Sequence, residues 1–238
     1  DLSPDWVIAK EDEEFGLADD VFAVSTVARD SLIRQGIPAD KIFVNPLGVD
    51  VSAFAPAPRK NGRFRVLQVG MISLRKGVLD TFEAFRRAAI PEAELWFVGA
   101  QSEPGLRSIV AGGGVPGVSF VPPVPQSDLP GIYTEASAFV LASLADGFGM
   151  VVPQAMACGV LVIVTENVGA RDLVVDGVNG FVVPIRSPEA IAERLRFLAD
   201  NPGAAATMGA MAAQTVRQGY AWTDYGDRLA AFLRRVAR

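Results

Sequence analysis

Histidine is absent from all 238 residues. With it go the Ser-His-Asp and Cys-His arrangements, a histidine-bearing zinc site and any imidazole general base within this chain. Cysteine occurs once, as Cys158, so no internal disulfide can form. Basic charge is scarce: 22 lysines and arginines against 27 acidic residues give a net charge of −5. That balance argues against a nucleic-acid partner, whose phosphate backbone requires a basic face. No apolar run approaches the roughly 18–20 residues of a membrane span. The longest candidate, 136–145, carries two serines and stops at Asp146. A secretory leader pattern is missing, and the first residue is not Met. Neither the phosphate loop of nucleoside triphosphatases nor a Gly-Xaa-Gly-Xaa-Xaa-Gly after the first strand occurs. None of the three tyrosines has a lysine four residues on, which argues against a Rossmann-type epimerase or oxidoreductase.

Half of the chain is hydrophobic, ample for one large domain or for one domain plus part of another. The first twenty residues are acidic and predict a helix around 6–18. Its consecutive Glu11, Asp12, Glu13 and Glu14 cannot converge on one point of a helix and so form a solvated face. A short strand at 21–24 precedes a helix that Ser25 or Thr26 caps and Gly36 ends. A strand at 41–44 leads into Asn45-Pro46-Leu47-Gly48-Val49-Asp50. Residues 53–59, with Pro56 and Pro58, resemble a stiff linker and mark a domain boundary. From Arg63 onward strands alternate with helices: strands at 64–69, 94–98, 118–121, 138–142, 160–164 and 181–183. Helices are expected at 76–89, 103–110, 127–135, 150–158, 188–200, 204–218 and 222–236. This alternation predicts an α/β fold, a doubly wound parallel sheet with helices on both faces. Ligands of such sheets bind beyond the carboxyl ends of the strands near a switch point. Three loops fall at that edge: 70–77, 99–103 and 143–149.

Two of those loops carry chemistry. Arg75-Lys76-Gly77 sets two cations at the expected start of a helix, where they oppose its dipole at a cost of about 0.3–1 kcal/mol; a bound anion reverses that cost. Asp146-Gly147-Phe148-Gly149 is a glycine-spaced loop in which backbone N–H groups can approach a ligand, followed by a helix whose first turn tolerates Pro153. Gly169-Ala170-Arg171-Asp172 is a further polar turn, and Asp176–Phe181 delivers the last strand. Phe82, Phe85, Trp96 and Phe97 belong to the core, and Trp222 and Tyr225 anchor the terminal helix.

In this order the features resemble the retaining, GT-B-fold glycosyltransferases of the group 1 (family 4) type. Ala18-Asp19-Asp20 through Ser25, with Lys41 through Asp50, are similar to that family's interdomain hinge. Gly70 to Gly77 is similar to its diphosphate-binding loop, and Asp146-Gly147-Phe148-Gly149 through Gln154 to Gly159 to its donor-site motif. The resemblance implies a metal-independent enzyme that takes a hexosyl group from a nucleotide diphosphate sugar, with no cofactor. Lys76 and Arg75 then neutralise the leaving diphosphate beside Gly70 and the backbone of Gly149, Met150 and Val151. Asp146, with Gly147 and Phe148, meets the donor sugar, Gln154 the ribose, and Pro122 and Pro123 the nucleobase. By the same resemblance residues 1–52 are the end of an acceptor domain plus hinge. The linker spans 53–60, the donor-binding Rossmann-like domain 61–220 and a crossover helix 221–238.

The departures from the family pattern are specific. Glutamate is usual at both motif positions, where Asp146 and Gln154 stand here, and Met71 replaces a common arginine. A carboxylate one methylene shorter falls about an ångström short, and such misplacement can cost on the order of 100-fold in rate. The family's acceptor domain, with its frequent histidine, is expected to precede Asp1. It, or a second copy of the chain, is expected to cover the apolar face of the terminal helix. A cytoplasmic protein, attached to a membrane at most peripherally through that domain, is the implied location. A non-catalytic binding or assembly module descended from such an enzyme is the alternative.

Overall fold

The computed structural model describes residues 4–59, 62–103 and 105–237; Lys60 of the expected linker and the first residue of the next expected domain lie outside these. The chain begins with α1 (Asp5–Leu17), which buries none of its side chains, as an acidic solvated helix should. β1 (Val21–Ala23) and β2 (Ile42–Val44) pair in parallel and flank α2 (Thr26–Arg34). Residues 45–54 then enter the main body. Phe54 is buried and packs edge-on to Tyr133, their ring centroids 6.1 Å apart.

The main body alternates β3 (Arg65–Val69), α3 (Val78–Ala88), β4 (Glu94–Val98), α4 (Leu106–Gly112), β5 (Val118–Val121), α5 (Leu129–Thr134) and β6 (Ala138–Leu141). It continues with α6 (Val151–Ala157), β7 (Val162–Thr165), β8 (Gly180–Val183), α7 (Pro188–Asp200), α8 (Pro202–Arg217) and α9 (Trp222–Val236). The six strands form one parallel sheet in the order β5-β4-β3-β6-β7-β8. Successive strands are therefore added outward from β3 on one side and from β6 on the other, which makes the gap between them the switch point. β3, β6 and β7 are buried at every position, because helices cover both faces of a parallel sheet. One face receives α3, α4 and α7 through Phe82, Phe85, Leu106, Val110, Ile191 and Leu195. The other receives α5, α6 and α8 through Tyr133, Val152, Met156 and Val216.

Helix starts differ from expectation where glycine is left-handed. Gly77 at φ 68° and Gly105 at φ 88° cannot be helical residues, so α3 starts at Val78 and α4 at Leu106. Arg75 and Lys76 consequently stand in the turn before α3 rather than in its first turn, and the expected opposition to the helix dipole does not arise there. The strand expected at 160–164 runs from Val162, since Gly159 at φ 78° and the turn after it consume the first two positions.

Terminal helix α9 folds back onto the β1–β2 pair. Phe232 is buried, stacked on Phe43 at 4.3 Å and edge-on to Phe22 at 5.0 Å. Arg228 donates to Asn45 Oδ1 and the Pro46 carbonyl, each at 2.8 Å, and to the Gly219 carbonyl at 2.7 Å. Part of the face expected to need an external partner is thus covered by this chain's own first strands, while Trp222, Leu233 and Val236 stay exposed. Trp222 does not anchor the helix. It is turned roughly 80° from Phe232 by the 3.6-residue repeat and meets Tyr225 in an edge contact at 5.6 Å.

At the amino end of β3, Arg65 is buried with its guanidinium 3.7 Å from the Trp96 ring centre and 2.7 Å from Glu94. Burial alone would raise the Glu94 carboxyl, but hydrogen bonds and charge from Arg65, then Arg63, outweigh it and hold the group below its ordinary range. A carboxyl depressed in the folded state contributes stability above its unfolded pKa and loses it as pH falls through the folded value. Acid titration of the urea midpoint should therefore show Glu94→Gln less stable than the parent at neutral pH. The two proteins should converge as acid protonates Glu94, and parallel curves would contradict the linkage.

Candidate donor-binding site

The site is assembled at the carboxyl edge, across the β3–β6 switch point. After β3, Gly70 at φ 121° donates to the Val98 carbonyl, and Ile72 donates to Ala100 at 2.7 Å, so the loop runs alongside residues 99–102. A turn then closes on Ser73, whose carbonyl and hydroxyl each lie 3.2 Å from the Lys76 nitrogen. The Gln68 side-chain amide donates to the Lys76 carbonyl at 2.8 Å, and Leu144 N–H donates to the Arg75 carbonyl at 2.9 Å. Gly77 completes the turn. A Cβ there would stand 1.9 Å from the Ala142 carbonyl oxygen, so the β3 and β6 loops touch backbone to backbone.

The two loops also meet through charge. Lys76 Nζ and Asp146 Oδ2 form an ion pair, with side chains 18% and 12% exposed. At that burial the pair is screened far less than a surface one. Arg75 is exposed and forms no ion pair among the described residues, and Met71 and Leu74 lie exposed beside it. The Asp146 loop is held by residues 167–170: Asp146 N–H donates to Asn167 at 3.0 Å, and Gly169 and Ala170 donate back to the carbonyls of Asp146 and Phe148 at 2.9 and 2.6 Å. Phe148 is buried and Gly147 is exposed. Gly149 is left-handed at φ 84°, and a Cβ on it would stand 3.4 Å from Asp146 Oδ2. Met150 then leads into α6, with Val151 its first residue.

Gln154 sits on α6 and is 7% exposed; its Oε1 accepts from the hydroxyl of the fully buried Tyr133 at 3.1 Å. Burial raises the Tyr133 phenol well above its ordinary value, so it stays a donor at any physiological pH. Pro122 and Pro123 line a cavity of about 210 Å³ with Ile72, Gly99, Gln101 and Arg107 at the same carboxyl edge. Larger cavities of about 720 and 680 Å³ are lined by the segments entering β4, β5, β6 and β7, on the edge that does not bind ligands in such sheets. Burial pushes the Cys158 thiol up to about 12, so it is neutral and a poor nucleophile. Among the described residues no three His, Cys, Asp or Glu side chains gather to hold a metal, and no helix is long and apolar enough to cross a membrane.

The structure therefore brings Gly70, Arg75, Lys76, Asp146, Gly147, Phe148, Gly149, Met150 and Val151 to the switch point, with Gln154 one helical turn into α6 and Pro122 and Pro123 along the same edge. Ser25, Tyr133, Asn167 and Asp172 also support this region, and no spacing in the sequence links them to it. Ser25 was legible as a helix cap in the segment resembling the hinge, not as a partner of the glycine loop.

A doubly wound parallel sheet with a cationic loop and a glycine-spaced loop facing each other over the switch point defines an α/β domain of the Rossmann-like class. More narrowly, residues 52–215 match the family model of glycosyl transferases group 1, and the chain belongs to that family. It is 33% identical over 200 residues to a D-inositol 3-phosphate glycosyltransferase of Arthrobacter sp., covering 77% of this chain and 47% of that one. Sucrose-phosphate synthase from Thermosynechococcus elongatus superposes with a TM-score of 0.86 at 23% identity, over 98% of this chain and 62% of that one. HepE from Anabaena, solved in complex with UDP, superposes with a TM-score of 0.84 at 22% identity, over 92% of this chain and 64% of its own. The fold is that of one Rossmann-like half of a GT-B glycosyltransferase, and the chain spans about half the length of the first relative it matches.

Proposed function

We propose that this chain is the donor-binding part of a metal-independent, retaining glycosyltransferase of the family 4 type. It would move a hexosyl group from a nucleotide diphosphate sugar to a glycan, lipid or small-molecule acceptor. The observation that carries the reading is the pairing of Lys76 with Asp146 across the switch point. A partly buried ammonium beside a glycine loop suits a diphosphate, and its paired carboxylate keeps it oriented until an anion arrives. The UDP bound in HepE and the glycosyltransferase name of the Arthrobacter relative support the same chemistry.

In this reading the diphosphate seats between Lys76 and the N–H groups around Gly149, Met150 and Val151, which take the place of a divalent ion. Arg75, exposed on the same turn, closes on it from solvent. The nucleobase occupies the cavity beside Pro122 and Pro123. Bond breaking at the anomeric carbon builds charge on the diphosphate, and stabilising that charge carries much of the catalysis through an oxocarbenium-like state. Gln154 already accepts from Tyr133, so it meets the ribose chiefly through its amide N–H groups. A preceding acceptor domain, or a second copy of the chain, supplies the facing wall.

Titration with UDP, GDP and ADP by calorimetry and NMR tests the reading. Shifts at Lys76 and at 147–151 are expected for at least one of them; no response to any of the three would overturn it. A second reading, a non-catalytic nucleotide-sugar-binding module, is favoured by one observation: Asp146 is engaged by Lys76 and one methylene shorter than the family's glutamate. Sugar transfer in EDTA by a protein carrying both halves, surviving Asp146→Glu and lost in Lys76→Ala, would reject the module.

A further inference from the structure

We propose that Ser25, on the N-terminal βα unit, is a positioning residue for the Asp146–Gly149 loop, fixing which way one of its peptides faces. The inference rests on the reading above only for its nucleotide-binding test. Ser25 is fully buried. Its hydroxyl oxygen accepts from Ala28 N–H at 3.0 Å, capping α2, and its proton goes to the Gly147 carbonyl at 2.7 Å, 122 residues away. One hydroxyl therefore serves two elements, and a cap alone would not need the second bond.

The surrounding geometry is built to the same contact. A Cβ on Gly169 would come within 2.1 Å of the Gly147 carbonyl oxygen and 2.5 Å of Ser25 Oγ, so only glycine lets the three meet. Next door, Thr26 N–H and Oγ1–H both donate to the Asp172 carboxylate, at 2.7 and 2.5 Å, tying α2 to the turn that holds the loop. Three successive loop carbonyls are thereby taken from one side. Asp146 is held by Gly169 N–H, Gly147 by Ser25 and Phe148 by Ala170 N–H.

A trans peptide points its N–H opposite to its C=O. Pinning the three carbonyls turns the N–H groups of Gly147, Phe148 and Gly149 the other way, and among the described residues none of the three has a hydrogen-bond partner. Successive outward N–H groups make an anion-binding concavity. Of the three peptides, the one joining Gly147 to Phe148 is held by a side chain rather than by backbone, and that side chain is Ser25. Ser25 acts through this peptide and does not touch the ligand.

Three variants test this against a merely structural role. Ser25→Gly removes the donated bond while keeping a tolerated capping residue. Ser25→Thr keeps the hydroxyl. Thr26→Val loosens the same helix from Asp172 without touching Gly147. Ser25→Gly is expected to weaken UDP or GDP binding by about threefold to tenfold, the range for one neutral hydrogen bond, and to move the Phe148 amide nitrogen resonance, which senses the bond accepted by the preceding Gly147 carbonyl. Ser25→Thr should restore both, and Thr26→Val should lower the melting temperature with affinity intact. Equal affinity loss in Thr26→Val and Ser25→Gly would overturn the proposal. If the parent binds no nucleotide, the reading of the previous section fails on its own. An unmoved Phe148 amide nitrogen resonance in Ser25→Gly would then overturn this proposal separately.

Discussion

Lys76→Ala is expected to weaken binding of UDP or GDP by about 10- to 100-fold. The figure follows from losing charge-assisted hydrogen bonds, each worth about 1.5–3 kcal/mol, at roughly 1.4 kcal/mol per tenfold. Geometry makes the loss larger than that of a surface lysine. Lys76 Nζ is held by Asp146, and both side chains are mostly buried, so removing the ammonium leaves a carboxylate facing the incoming diphosphate without compensation. Asp146→Asn should move the other way for the free nucleotide, because it releases Lys76 to the anion and removes a like charge. Calorimetric titration of both variants reads the pair. Equal affinity of Lys76→Ala and the parent would show that the diphosphate sits elsewhere. A loss on Asp146→Asn as large as that on Lys76→Ala would show that the carboxylate itself receives the ligand. Raising the ionic strength should weaken the parent's binding and leave Lys76→Ala less affected.

The second large effect is on stability. Gly77→Ala should cost about 3–4 kcal/mol, near the top of the range for single substitutions. A left-handed residue with a Cβ carries about 1–2 kcal/mol of backbone strain. The new methyl also meets the Ala142 carbonyl oxygen at 1.9 Å, backbone that cannot rotate away. Relief requires the two loops to separate, which breaks the Leu144-to-Arg75 hydrogen bond that ties the cationic turn to the β6 loop. For a chain of this size the melting temperature should fall by roughly 6–15 °C. Gly131→Ala is the control: it lies within α5, its Cβ meets nothing within 4 Å, and the change should be neutral or slightly stabilising. Unfolding curves for the two variants that coincide within about 0.5 kcal/mol would refute the argument from close backbone contact, because the expected difference is several-fold larger.

Much of the architecture was legible along the chain because its signals are local. The β-branched apolar run at 160–164 reads as a buried parallel strand, and the strand forms over Val162–Thr165. Glycines after each run set the loops at one edge, and the amphipathic spacing of Val78, Thr81, Phe82 and Phe85 marks α3. Errors fell where a single dihedral decides, as at Gly77 and Gly105, since composition does not reveal the sign of φ. The motif residues were likewise visible as types: a cation pair, a carboxylate between small residues, an amide one turn further on.

What each of those residues touches was not visible. Nothing near Asp146 in sequence indicates that its carboxylate is spent on Lys76, 70 residues away, or that Gln154 is committed to Tyr133. Phe232 gave no sign that it would be covered by Phe22 and Phe43. Side-chain partners across such separations are chosen by how the sheet twists and how closely backbones approach, and only the packed structure sets those distances. The sequence by itself determined the α/β alternation, the loops that bear charge and glycine, and the family to which the chain belongs. Tertiary structure alone decided that the β3 and β6 loops face each other, because strand order is a long-range pairing that no local propensity encodes. It also decided that Ser25, legible as a helix cap in the hinge-like segment, reaches the glycine loop: a hydroxyl has a proton to give, and folding brought the Gly147 carbonyl to it.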